Sequence, residues 1–184
     1  MSKPSRVIVL AEDEHHEMLI RRYLRKCRIK TNEMFVRRSP SGRGSAESWV
    51  RREFVIEVRA CRDRQSRRAK TALIVLIDAD THTVQDRLTQ LDQALQQSGG
   101  QRVGRAEQIA RLVPKRNVET WVLCLIGQQV NEDRDYKTGR YNWNNLIPPA
   151  AQTLRHWTRL RNAPPGHCVG SLRIGVSELK RLSF

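Results

Sequence analysis

Glycine is scarce in this chain, 10 residues in 184, and none falls in a GxGxxG or GxxxxGK[ST] pattern. A glycine-rich cradle for nucleotide phosphates is therefore not expected. Cysteine is equally thin. Cys27, Cys61, Cys124 and Cys168 are scattered with no CxxC pair, which reads as reduced, half-buried thiols in a cytoplasmic protein rather than a disulfide framework or a zinc site. The 5 histidines form no HExxH array. No apolar run is long enough to cross a bilayer, no lipidation signal is present, and no signal-peptide core follows Met1. A membrane partner is not expected. The last shortage is acid: 19 Asp+Glu stand against 34 Lys+Arg, a net charge of +15. Arginine dominates the excess, and its planar fork suits bidentate contacts with phosphate, so the expected partner is nucleic acid, DNA or RNA. The composition leaves room for a homo-oligomer.

What the chain does have is order. At 39% hydrophobic it can bury a core, and its length suits one domain with an appendage. Short continuous apolar runs alternate with helical patterns. Strands are predicted over 6–11, 34–38, 73–77 and 108–113, and helices over 15–27, 46–62, 83–97 and 118–127. Pro148-Pro149 is read as the start of a helix to about 161, and 171–182 as a final helix. Residues 128–145 read as a polar, aromatic surface loop. The expected fold is α/β, a mostly parallel central sheet flanked by helices over 1–127, with a mainly helical extension over 128–184 packed on it.

The run Leu73-Ile74-Val75-Leu76-Ile77 leads straight into Asp78-Ala79-Asp80. Ligands gather at the carboxyl ends of parallel strands, and residues two apart on an extended segment share a face. Converging carboxylates call for a hard cation, Mg²⁺ by default or Mn²⁺. Glu12 ends the first strand in the same way, and Glu119 opens the helix after the fourth. Such a set can hold metal that activates water and stabilises a pentavalent phosphate. Between Arg37 and Lys70 lie eleven Lys/Arg and four Asp/Glu. Arg37, Arg38, Arg43, Arg51, Arg52, Arg67, Arg68 and Lys70 from this stretch are the candidate phosphate contacts.

Leu10-Ala11-Glu12 followed by a helix, and Leu76-Ile77-Asp78-Ala79-Asp80 followed by another, resemble the Toprim domain of topoisomerases, primases, recombination proteins and OLD-type nucleases. The likeness spans roughly 6–127 and implies a Rossmannoid sheet, Glu12 as acid/base or metal ligand, and Asp78 and Asp80 as Mg²⁺ ligands. Pro114-Lys115-Arg116-Asn117-Val118-Glu119-Thr120-Trp121 further resembles small stand-alone Toprim-like proteins paired with SMC/ABC-type ATPases in phage-defence loci. That implies Glu119 as a further acidic site residue, Lys115 and Arg116 as phosphate or transition-state contacts, and an ATPase partner. The expected activity is then that of a metal-dependent nuclease and defence effector. Two positions depart from the family. Asp13 stands where it usually has glycine, and His16 where it usually has an acid, with Glu17 beside it. These departures favour an alternative, a non-catalytic nucleic-acid or partner-binding module on the same scaffold. A response-regulator-like phosphate enzyme fits the acidic cluster but not the charge. Strand passage lacks room, and priming lacks a zinc region.

Overall fold

The computed structural model describes residues 3–40, 45–138, 140–182 and 184. Four strands, β1 (Arg6–Ala11), β2 (Met34–Arg38), β3 (Thr71–Leu76) and β4 (Ile109–Leu112), form one all-parallel sheet in the order β2-β1-β3-β4. The chain is thus an α/β protein with a parallel central sheet flanked by helices. β1 and β3 are the inner strands. Both are continuous apolar runs, because each needs two buried faces.

The period of two assigns those faces. Val7, Val9, Ile74, Leu76, Ala110 and Leu112 point into one core. α1 (Glu14–Lys26), α4 (Val118–Leu125), α5 (Trp143–Trp157) and α6 (Gly170–Arg181) cover it. Ile8, Leu10, Leu73, Val75 and Ile77 point into the other, beneath α2 (Ala46–Ser66) and α3 (Val84–Gln97). Trp121 is the largest fully buried side chain; its indole N–H donates to Ser171 Oγ at 2.7 Å and ties α4 to α6. Ser171 in turn hydrogen-bonds Glu132, which also accepts the Gly170 and Ser171 N–H groups at the start of α6. The extension is thereby built into the first core. All four cysteines are free and buried. No helix among the described residues is long and apolar enough to cross a membrane.

Two local expectations need correction. α5 begins at Trp143, not at Pro148-Pro149, which fall inside it. Trp143, Ile147, Ala150, Ala151, Leu154 and Trp157 form a buried stripe, and Asn142 caps the start by accepting the Asn145 N–H at 3.3 Å. Burial of that stripe outweighs the roughly 3 kcal/mol that an interior proline costs. Asp78 and Asp80 also do not share a face. Asp80 takes φ 55, and a turn closes from His82 N–H to the Ala79 carbonyl at 2.9 Å. The left-handed residue ends the extended stretch, so the period of two stops at Asp78.

Candidate active site

The carboxyl edge of the sheet gathers the acidic residues. Glu12 follows β1 and Asp78 follows β3 by two residues, and the two are linked directly: the Asp78 N–H donates to Glu12 Oε2 at 2.8 Å. Asp78 is fully buried. Its backbone carbonyl accepts from Arg87 Nε at 3.0 Å, and Arg87, itself buried in α3, is held by Glu47 and Gln90. The strand end is therefore braced from α2 and α3 together.

His16 and Lys137 occupy the two oxygens of Asp78. His16, in the first turn of α1 and fully buried, places Nε2 at 2.9 Å from Asp78 Oδ1 and Nδ1 at 2.7 Å from Asp13 Oδ1. A ring with both nitrogens on carboxylates must carry both protons, so His16 is an imidazolium. Burial works against that charge, but the charges of Asp78 and Asp13 and their hydrogen bonds outweigh it and hold His16 well above its ordinary value. Asp13 doubles as the N-cap of α1, accepting the His16 N–H at 3.0 Å. Burial pushes its carboxyl up, and His16 with Lys137 pulls it further down, to a net value far below the usual range. Lys137 Nζ lies 3.0 Å from Asp78 Oδ2 and 3.4 Å from Asp13 Oδ2. Burial lowers its affinity for a proton, and the two aspartates more than restore it.

Glu12 has the opposite problem. Burial first, then the charge of Asp78 and to a lesser degree Asp80, raise its carboxyl to about 7, against the pull of His16 and the Asp78 N–H. Asp80 is half-exposed, with its nearest cation Arg87 at 4.0 Å. Glu119, in the first turn of α4, is 1% exposed; Oε1 meets His15 Nδ1 at 2.5 Å, while Oε2 is buried with no partner. The bond to Glu119 raises the His15 pKa. Asn117 caps α4 and also donates to Asp135 Oδ1 at 2.8 Å, which accepts the Lys137 N–H at 2.8 Å. That chain of bonds sets the loop so that Lys137 reaches the site.

The described residues whose ligand atoms lie within 4.8 Å of one another are Asp13, His16 and Asp78. As it stands, His16 spends both ring nitrogens on Asp13 and Asp78, so it would have to give up a proton to serve as a ligand there. Glu12, Asp78 and Asp80 are all-oxygen donors suited to Mg²⁺. Glu12, raised chiefly by burial, and the unpartnered Glu119 Oε2 are the carboxyl groups here that the cations do not satisfy. That donor chemistry suits a hard cation, but Glu12 and Asp80 are not in the group gathered within 4.8 Å, and Lys137 Nζ lies on Asp78 Oδ2 at 3.0 Å.

The basic candidates divide between the two edges. Arg38 pairs in register with Ala11, next to Glu12, and lies 3.5 Å from Glu17. Arg37 is held by Glu53 and Glu57 at 2.7 and 2.9 Å, and Arg51 by Glu47 at 2.7 Å, while Arg52 beside it is exposed. Lys115 and Arg116 follow β4 at the same edge; Lys115 pairs with Asp133 at 2.7 Å, and Arg116 has no polar partner among the described residues. Arg67, Arg68 and Lys70 precede β3 and so lie at the opposite, amino edge. Arg43 lies outside the described residues. His15 and Lys137 were not among the residues singled out from sequence for chemistry. Asp13 and His16 were noted only as departures. An Asp three residues before a His at a helix start is the local trace that pair leaves in the sequence; Lys137 stands in Asp135-Tyr136-Lys137, a segment that shares in the Toprim-like resemblance, but no local pattern pairs it with partners 59 and 124 positions away.

No family model matches the chain, and no curated protein or solved structure matches it significantly.

Proposed function

We propose that this chain is a Mg²⁺-dependent nuclease of the Toprim type, hydrolysing phosphodiester bonds in DNA or RNA. The observation that carries the reading is geometric: Glu12 and Asp78 meet at the carboxyl edge of a parallel sheet, with the Asp78 N–H on Glu12 Oε2 at 2.8 Å, where burial and Asp78 raise the Glu12 carboxyl to about 7. A carboxyl at that value can both take and return a proton near neutrality. Asp78 and Asp80 would hold the cation, which when bound supplies charge for the developing oxyanion and a more acidic water. Glu12 keeps Oε2 on the Asp78 N–H, and its other oxygen is available to take a proton from water and deliver it to the leaving oxygen. Arg38 and Arg116 flank this edge and would hold the phosphates on either side of the cut. The buried His16 ring holds the rotamer of Asp78. The Toprim resemblance further suggests a role as effector in an anti-phage system with an SMC/ABC-type ATPase.

A second reading has its own observation. With His16 and Lys137 on both oxygens, Asp78 is already neutralised without metal, as suits a non-catalytic nucleic-acid or partner-binding module. A cleavage assay on single-stranded and duplex DNA and RNA separates the two, run in Mg²⁺, in Mn²⁺ and in EDTA, with the ATPase partner added in parallel. Metal-dependent cutting that is lost in Asp80→Asn supports the nuclease. Salt-sensitive binding with no cutting in either metal, unchanged in that variant, supports the module.

A further inference from the structure

Beside the carboxylates lies a cavity of about 550 Å³, lined among others by Glu14, His15, Arg140, Tyr141, Trp143 and Asn144. Its walls are unusual for a chain with only 5% aromatic residues. The Tyr141 ring tilts against Trp143 with centroids 5.0 Å apart, and the His15 ring lies 5.7 Å from the same indole. Trp143 is 9% exposed and anchors the group in the core, whereas Tyr141 is 37% exposed. Arg140 and Asn144 are exposed and offer donors, and Glu14 offers an acceptor. The cavity touches the acidic site through one bond. His15 spends Nδ1 on Glu119, so its Nε2 remains for whatever enters.

We propose that this cavity seats an unstacked nucleobase, so that the substrate of the site is single-stranded nucleic acid. The inference rests on the nuclease or binding reading above and names its substrate class. An open aromatic face accepts any base by stacking, but only a base whose own faces are free. In a duplex those faces are covered by neighbours. Arg140 supplies the phosphate contact beside the stacked base, and the +15 charge of the chain favours a polyanion over a neutral ligand. With the base on Tyr141, the strand lies beside His15, whose Nδ1 meets Glu119 of the acidic site.

The test is a fluorescence-anisotropy titration of the full-length protein in EDTA with a fluorescein-labelled single-stranded oligonucleotide, an abasic strand of equal length and the matching duplex. The single strand is expected to bind more tightly than either control. Tyr141→Ala is expected to weaken it by roughly ten-fold or more, from the usual worth of one stacked base. Tyr141→Phe is expected to restore binding, and duplex affinity to stay the same in both variants. Equal binding of single strand and duplex, an unaffected Tyr141→Ala variant, or a mononucleotide that competes as strongly as the strand would each overturn the proposal. Because no metal is present, a protein that cuts nothing still reports on this cavity, and a nuclease that fails here still cuts.

Discussion

Lys137 places its ammonium 3.0 Å from Asp78 Oδ2, across 59 residues of sequence, at the point where a hard cation would be expected. On the proposed reading, the lysine and a divalent ion would compete for one carboxylate oxygen. The side chain is 40% exposed and can leave, whereas His16 on the other oxygen cannot.

Lys137→Gln is expected to lower thermal stability in EDTA by about 1–2 kcal/mol, since a buried carboxylate loses one of two partners. The same variant is expected to gain more stability from Mg²⁺ than the wild type does, and to reach half-maximal cleavage at lower Mg²⁺. Melting curves across a Mg²⁺ series read both effects. If Mg²⁺ moves neither protein, the cation site is lost as an explanation and the metal-free module remains.

Glu12 binds a proton more tightly in the fold, at about 7, than at its ordinary 4.5. Its contribution is therefore intact below 4.5 and erodes as pH rises through 7, by about 3 kcal/mol at most. Glu12→Gln keeps an oxygen for the Asp78 N–H and removes the charge. It is expected to be more stable than wild type at about pH 8 and to show no advantage near pH 4.5. Urea denaturation at the two values decides it; an advantage that does not change with pH would contradict the placement of Glu12 beside Asp78.

His16 sits fully buried between Asp13 and Asp78, so its removal strands two carboxylates. His16→Ala is expected to cost about 3–5 kcal/mol in urea unfolding. Asp78→Ala strands His16 and Lys137 in the same way, so its loss of activity would be ambiguous. Asp80→Asn is the cleaner probe. Asn tolerates the left-handed φ of 55, and the half-exposed side chain should change stability by less than about 0.5 kcal/mol. Cleavage is expected to fall while the melting temperature holds.

The two edges of the sheet separate the arginines by position. Arg116→Ala and Arg38→Ala, at the carboxyl edge, are expected to weaken nucleic-acid binding and each to reduce the slope of log affinity against log salt by about one. Arg67→Ala with Arg68→Ala, at the amino edge, should leave cleavage by the isolated chain unchanged. A binding isotherm series in salt measures the difference. A larger loss from the amino-edge pair would move the interface to that side.

The local elements were legible in the sequence because local chemistry specifies them. β1 and β2 have the bounds the sequence predicts, Arg6–Ala11 and Met34–Arg38, each built on a short apolar run. α3 starts where Thr83 and Asp86 form a capping box. The parallel sheet follows from alternating runs too apolar to face water, and it brings Glu12 and Asp78 to one edge. Tertiary structure decided the rest. α5 runs through Pro148 and Pro149 because its buried stripe outweighs the break. Asp80 leaves the face of Asp78 because the chain turns there. The partners of Asp78, His16 and Lys137, come from two distant segments, and no spacing rule connects residues whose only relation is a shared buried charge. The run ending in Asp78 determined that chemistry would gather at this edge; packing determined which cations meet it there, because desolvation makes any charge left unpaired in that interior too costly to keep.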